Sequence, residues 1–437
     1  MIPQHRPLPA LALPAGVFLA ALLLQWPLVS NPGYYSHDEL QWAAAALDGT
    51  RVAWRDLSVF QYRPLTFNLW MALSRALFET PMLFHAVLVG WGSLNAALLC
   101  AIGRGFGMRP WPAVLGALAF VLTPYAAYTH GWVGCIGDLA WLSCVLLLAA
   151  LVQRIDGPWK VALPAAALTA IALLAKEAAF AIPPLLAMAW LFDGRKRKWL
   201  AALLASGAIA TLYLALRADV LLHAPREGAQ YALGIAHVPA RWMEYQLFPP
   251  IVPLLETFTT TRRLLPAAIA GALWLGLFAA LWRASPRSAA LFLLGGLAAL
   301  LPVLPLAASW NHYAYGFAAV SSMAVAAAWP TALRAGRIAI ALFAALTLLH
   351  GASVMARMQR VGRIQSVFSP ALAEAVRRDG DVALRLAPGA KAWVFTRLTH
   401  DIPRYRGVEI GERVRIVGEG EPAGYLVQPD GRLQPLR

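Results

Sequence analysis

An all-α polytopic membrane bundle of about eleven helices, with a small soluble α/β or β appendage at the C-terminal end, is the fold class this sequence predicts. Three observations predict it. Of 437 residues, 59% are hydrophobic and only 14% charged, against roughly 25% charged in soluble domains. Apolar runs of about 17 to 25 residues, each long enough to cross a hydrocarbon core of about 30 Å as a helix, recur from Leu8 to about Val354. The chain then changes character, with 14 Lys or Arg and 9 Asp or Glu between Arg357 and Arg437. Residues 1–355 are therefore expected to form the membrane domain and 356–437 the appendage.

The first apolar run, about 8 to 29, has His5 and Arg6 before it and no small-residue cleavage site after it, which predicts a retained helix with the N terminus inside. A polar stretch to about residue 80 lies outside, and within it Leu65 to Leu77 has the mixed faces of an interfacial helix. Further spans are expected at about 82–103, 110–129, 135–153, 159–175, 178–192 and 199–218. Their inside turns carry Arg104, Arg109, Arg154, Lys160 and the run Arg195 to Lys198. The stretch 241–258 holds Arg241, Glu244, Glu256, Pro249, Pro250 and Pro253, which suits a re-entrant or surface-lying helix. Spans at about 264–282, 289–308, 313–332 and 338–355 complete the bundle and put Arg283, Arg287, Arg334 and Arg337 inside. In the tail, 369–378 is expected as a short helix, and 392–396, 413–417 and 425–428 as short strands between Gly, Pro and Asp turns.

The net charge of +15 is spread over short turns and the tail, with no aromatic-interleaved basic stripe, so it reports membrane orientation and argues against a nucleic-acid partner. Cys100, Cys135 and Cys144 have no metal-ligand spacing and are expected as packing residues. His37, Asp38 and Glu39 supply too few ligands for a metal site, and no cofactor is implied.

The residues that could do chemistry gather on the outer face under this topology. Asp38 and Glu39 follow the first span. Arg63 stands in Gln61-Tyr62-Arg63-Pro64-Leu65, and His130 and Asp138 flank the turn from Gly131 to Gly137. Lys176 and Glu177 separate two short spans, while Arg241 and the segment Asn311-His312-Tyr313 come later. A carboxylate can take the proton of an attacking hydroxyl or amine, and Arg or Lys can hold a leaving phosphate. Each also has a structural reading. Asp38 and Glu39 can cap a helix, Lys176 and Glu177 can form a local ion pair, Asp138 can cap the following span and Arg63 can snorkel to head groups.

The order of these motifs resembles a known family. An early acidic pair, Tyr62-Arg63-Pro64-Leu65, Pro81-Met82-Leu83-Phe84-His85 and Leu94-Asn95-Ala96 come first, followed by Thr123-Pro124, Gly137-Asp138-Leu139, Lys176-Glu177 and His312-Tyr313-Ala314-Tyr315. Over residues 34–330 this is similar to the multi-spanning glycosyltransferases of the GT-C superfamily, in particular the branch of protein O-mannosyltransferases and of tetratricopeptide-tailed transmembrane O-mannosyltransferases with their bacterial relatives. The chain departs from that branch in having Tyr128 and Ile136 where an acid and an arginine are common, and its tail lacks the helical repeats.

The resemblance implies inverting transfer of a sugar from a polyprenyl-phosphate donor to a glycan, lipid or protein acceptor outside the plasma (inner) membrane. It implies Asp38 or Glu39 as the acidic residue that acts as base or orients the acceptor; Arg63, Lys176, Arg241 and His312 are then expected around the donor phosphate. His130, Asp138, Glu177 and Tyr313 remain as acceptor-side or structural residues, and no metal is required for a monophosphate donor. A lipid-linked glycan ligase or polymerase, a secondary transporter and a non-catalytic membrane scaffold are the alternatives. A transporter is expected to carry its charges near the midplane of paired halves, and here they sit at one interface.

Overall fold

A computed structural model describes residues 12–194, 196–223, 228–251, 263–399 and 402–436. The expectations that concern Arg195, Pro253 and Glu256 lie outside these residues.

The apolar runs fold as helices in the expected order. Helices α1 (Ala12–Leu24) and α2 (Trp26–Val29) form the first segment, followed by the short α3 (His37–Leu47) and α4 (Pro64–Leu77). Then come α5 (Pro81–Gly105), α6 (Pro110–Val121), α7 (Pro124–Gly131), α8 (Ile136–Arg154) and α9 (Pro158–Ala175). The second half holds α10 (Ile182–Phe192), α11 (Arg197–His223), α12 (Val238–Leu247), α13 (Leu264–Ala284), α14 (Pro286–Ala290), α15 (Gly296–Leu300), α16 (Tyr315–Ala328) and α17 (Arg334–Asp379). Among the described residues, six helices are long and apolar enough to cross a membrane, and a seventh span results if α6 and α7, bent by 58°, are one. Shorter apolar helices fill Ala12–Leu24, Glu177–Phe192 and Pro286–Leu300. The protein is a multi-pass membrane protein. The described part of the 241–258 stretch is α12, only 10 residues long.

Proline starts many of these helices. Pro64, Pro81, Pro110, Pro124 and Pro158 each stand in the first turn, where the missing N–H costs nothing and the fixed φ suits the helix. Helices α3 and α4 lie against the bundle and are joined by Trp42, which stacks on Phe67 (4.6 Å between ring centroids) and on Trp70 (5.1 Å). Arg75 of α4 donates to the carbonyls of Ala46 (2.7 Å) and Thr50 (2.9 Å) at the end of α3.

One end of the bundle is basic. Arg109 and Arg337 line a cavity of about 710 Å³, and Arg109, Asp193 and Arg287 line a neighbouring one of about 520 Å³. Lys198 donates to Gln153 O (3.2 Å), and Gln153 to Ile102 O (3.1 Å), closing the same end of α5, α8 and α11.

The tail differs from expectation in two ways. Residues 369–378 are the end of α17, a continuous helix of 46 residues that begins inside the membrane domain. At about 1.5 Å per residue it is about 69 Å long, over twice the hydrocarbon thickness. Residues 392–396, expected as a strand, form helix α18 (Ala392–Thr399), whose apolar Val394, Phe395 and Leu398 share one face. Spacing of three and four overrides the β-branched and aromatic composition of Trp393 to Thr396. The expected strands at 413–417 and 425–428 are present as β4 and β5 among the six strands of the described residues: β1 (Val382–Leu386), β2 (Arg404–Tyr405), β3 (Val408–Glu409), β4 (Val414–Val417), β5 (Tyr425–Val427) and β6 (Leu433–Pro435). A four-stranded sheet runs β4-β1-β5-β6, with β1 parallel to both neighbours and β5 antiparallel to β6, while β2 and β3 form a separate antiparallel pair.

Helix α17 packs closely enough to need glycine at two points. A Cβ on Gly351 would stand 1.8 Å from Leu122 O, at the break between α6 and α7, and one on Gly362 would stand 1.9 Å from Asn31 Oδ1. At the second point Gln365 Oε1 accepts the Tyr34 N–H (2.9 Å), and Asn31 Nδ2 donates to Met358 O (3.4 Å). Gly351→Val should therefore push α17 off a backbone carbonyl and cost about 3 kcal/mol or more. The measurement is thermal unfolding in detergent beside Gly336→Val, since a Cβ on Gly336 has its nearest contact at 3.4 Å. Equal Tm values for the two variants would contradict the packing argument.

Candidate active site

The acidic pair divides into two different environments. Ser36 caps α3, its Oγ accepting from the Asp38 N–H (3.3 Å), and Glu39 folds back to accept the N–H groups of Tyr35 (2.6 Å) and Ser36 (2.8 Å). This is a capping box of the Ser-x-x-Glu type. The other Glu39 oxygen accepts the Val133 N–H (3.0 Å) from the turn between α7 and α8. Glu39 is only 1% exposed. Burial raises its pKa from the ordinary 4.5 to about 7, outweighing the three backbone donors that favour the carboxylate, and the neighbouring Asp38 adds to the rise.

Asp38 remains reachable. Its side chain is 29% exposed, with His37 Nε2 3.1 Å from Oδ1 and Ser36 Oγ donating to Oδ2 (3.0 Å). The α3 N-terminus that presents it also favours negative charge.

Four of the other expected residues form two crossed ion pairs. Lys176 does not pair with its sequence neighbour Glu177; it binds Asp138 at the start of α8. Glu177 accepts from Arg63 Nε (2.7 Å), and Arg63 Nη1 donates to Gln61 Oε1 (3.1 Å). The cause is the backbone at the end of α9. Lys176 is extended (φ −165°, ψ 143°) and Glu177 opens a 3₁₀ turn, so consecutive side chains leave toward different segments. The Lys176 Nζ also lies 5.5 Å from the centre of the Tyr313 ring.

His312 joins the acids to the cations. Its ring is 4.4 Å from that of Tyr313, 5.4 Å from Trp132 and 6.2 Å from Tyr128, and Tyr128 is 5.9 Å from Tyr35 beside the acidic pair. Burial, with the charges of Lys176 and Arg63 nearby, holds the His312 pKa well below the usual value, so the imidazole is neutral. It can donate a hydrogen bond to a phosphate without adding charge. Among the described residues, no group of three His, Cys, Asp or Glu converges as metal ligands would.

Two expected residues stand apart from this cluster. His130 is buried inside the bundle, Nδ1 against Gln25 Oε1 (2.8 Å) and Nε2 against Tyr315 Oη (2.7 Å), which makes it a structural node joining the turn between α1 and α2 to α7 and α16. Arg241 pairs with Glu244 (3.1 Å) and donates to Ala307 O (2.9 Å), while Glu244 accepts from Ser309 Oγ (2.7 Å). These bonds anchor α12 to the segment that leads to His312.

Sequence reasoning missed Arg217. It lies fully buried near the end of α11 and donates to the carbonyls of Leu57, Val59 (2.7 Å) and Phe60 (2.8 Å), beneath the Tyr62 ring. A lone arginine late in an apolar helix was the available signal. It fixes the loop that delivers Arg63.

No protein-family model matches the sequence, and neither does any curated protein. Solved structures do match. The crystal structure of ArnT from Cupriavidus metallidurans bound to undecaprenyl phosphate aligns over 93% of this chain and 86% of its own, with a TM-score of 0.53 and 13% identity. The Archaeoglobus fulgidus oligosaccharyltransferase tethered with an acceptor peptide aligns over 86% of this chain and 61% of its own, with a TM-score of 0.43 and 13% identity. The likeness to ArnT is one of fold, and the fold of this chain is GT-C-like.

Proposed function

We propose that the protein is a GT-C-type membrane glycosyltransferase that moves a sugar from a polyprenyl-phosphate donor to an acceptor at the extracytoplasmic face of the plasma (inner) membrane. The observation that carries this reading is an accessible carboxylate, Asp38, in one aromatic-lined cluster with Arg63, Lys176 and His312. The fold supports it, since ArnT was solved with undecaprenyl phosphate. The basic end formed by Arg109, Arg287 and Arg337 supports placing the site on the opposite, outer side. The order of motifs along residues 34–330 supports kinship with the O-mannosyltransferase branch.

The chemistry divides between the carboxylate and the cations of this cluster. Asp38 accepts the proton of the acceptor hydroxyl as its oxygen attacks the anomeric carbon from the face opposite the phosphate. The bond from anomeric carbon to phosphate oxygen breaks with its electron pair going to the phosphate, and the sugar inverts. The donor phosphodiester carries one negative charge and the leaving polyprenyl phosphate approaches two. Cations beside it therefore stabilise the transition state more than the bound donor. Each cation keeps its carboxylate partner, which holds it aimed. Arg63 spends Nε and Nη1 on Glu177 and Gln61, leaving Nη2 for a phosphate oxygen.

The raised pKa of Glu39 would suit a base, but geometry decides before pKa. Both its oxygens are occupied by backbone donors and no acceptor can reach them. Its role is to hold α3 against Val133.

Deleting the gene and analysing membrane lipids by mass spectrometry tests the function. A polyprenyl-phosphate sugar should accumulate, and its absence would overturn the proposal. That lipid extract then serves as donor for purified variants. Asp38→Asn should lower turnover by about 10²-fold or more at unchanged protein level. Arg63→Gln should weaken undecaprenyl phosphate binding by about tenfold or more, the size of a charge-assisted hydrogen bond.

Glu39 predicts a pH dependence of stability. Its folded pKa is raised, so the fold holds a proton that the unfolded chain releases between about pH 4.5 and 7. That stabilising contribution is complete below the unfolded value and is lost as pH rises through the folded one. The Tm of the wild type should fall from pH 5 to pH 8 by more than that of Glu39→Gln, whose amide does not titrate. Glu39→Gln should also be less stable by about 1–2 kcal/mol at pH 5, because its NH₂ faces backbone N–H groups.

A further inference from the structure

We propose that Arg397, from helix α18 of the C-terminal appendage, is a positioning residue that fixes the proton-accepting carboxylate of Asp38 through the hydroxyl of Ser36. The inference rests on the assignment of Asp38 above. Arg397 Nη2 donates to Ser36 Oγ (2.8 Å), and its guanidinium lies 4.8 Å from the centre of the Tyr35 ring. The separation in sequence is 361 residues.

The hydroxyl of Ser36 has one hydrogen and two lone pairs. The Asp38 N–H occupies one lone pair (3.3 Å) and Arg397 the other (2.8 Å). The hydrogen is then left for Asp38 Oδ2, at 3.0 Å. Without the arginine the hydroxyl can rotate, as serine hydroxyls do when a second acceptor or water is present. Arg397 therefore fixes the direction of a donor to the base. Tyr35 under the guanidinium limits the arginine to one placement.

The appendage has other contacts that hold it in place without touching this chain of bonds. Arg404 pairs with Asp48 (3.1 Å) and Arg406 with Glu79 (2.6 Å), all largely exposed. Such pairs contribute little individually. They supply the control that separates docking from positioning.

The test uses the full-length protein in detergent, with the donor lipid that accumulates in the deletion strain. Arg397→Gln should lower kcat by about tenfold or more, with KM for that lipid and the affinity for undecaprenyl phosphate within about twofold of wild type. Arg397→Lys should restore part of the loss. Ser36→Ala should remove most of the same activity, and the double variant Arg397→Gln with Ser36→Ala should be no worse than Ser36→Ala alone. The double variant Arg404→Gln with Arg406→Gln should keep wild-type turnover.

An unchanged kcat in Arg397→Gln would overturn the proposal, as would equal losses from the Arg404 and Arg406 variant, which would reduce Arg397 to a docking contact. If Asp38→Asn itself keeps normal turnover, the assignment of the base fails first, and that outcome is visible without any Arg397 variant. Should Arg397→Gln fail to fold, Ser36→Ala read against Arg397→Lys gives the same comparison.

Discussion

Charge buried at the end of a helical bundle must be paired, and two crossed pairs carry that requirement here. Lys176 with Asp138 and Glu177 with Arg63 tie the end of α9 to the start of α8 and to the loop before α4. Because the two residues are adjacent, the break in the helix at Lys176 is gripped from both sides. Removing one member leaves an uncompensated charge, which costs far more than the pair contributes. The position of α4, and with it the stacked Trp42 that seats α3, follows from this clamp. Arg217 supplies the complementary restraint by collecting the carbonyls of the loop that would otherwise be unbonded near the bilayer surface.

The bundle was legible in the sequence because the bilayer imposes a length on every crossing segment, and apolar runs such as 82–103 and 135–153 record that length directly. Helix α4 was legible from its two-faced pattern. Most of the candidate residues were legible as polar positions that survive between apolar runs, although His130 and Arg241 belong to separate networks. Their partners were not. Adjacency suggested that Lys176 and Glu177 pair, and only the extended backbone at Lys176 shows why they cannot share a face. The capping box at Ser36 and Glu39 is written in the spacing Ser-x-x-Glu, and it separates the acids into one that is structural and one that is reachable.

Other features had no signal of that kind. Nothing in the local sequence around Arg397 links it to Ser36, because the link is made by the path of α17 and not by any pattern in either segment. Helix α18 was obscured by composition: Trp393-Val394-Phe395-Thr396 reads as strand, and its apolar spacing of one, three and four becomes decisive only when the segment is followed to Leu398. His130 looked available because it precedes a turn, yet the bend between α6 and α7 draws it inward against Gln25 and Tyr315.

The unbroken course of α17 constrains the protein in a further way. A helix that continues from Arg334 to Asp379 behaves as a ruler and a protractor at once. Each residue added or lost between its foot and the appendage would shift the far end by about 1.5 Å and turn it by about 100°. A single deletion would swing Arg397 to another side of the axis, whereas seven residues, close to two full turns, would nearly restore its bearing at a cost in height of about 10 Å. The distance and angle between the membrane and the appendage are thus set in steps, and tolerance of insertions in this stretch is governed by helical phase.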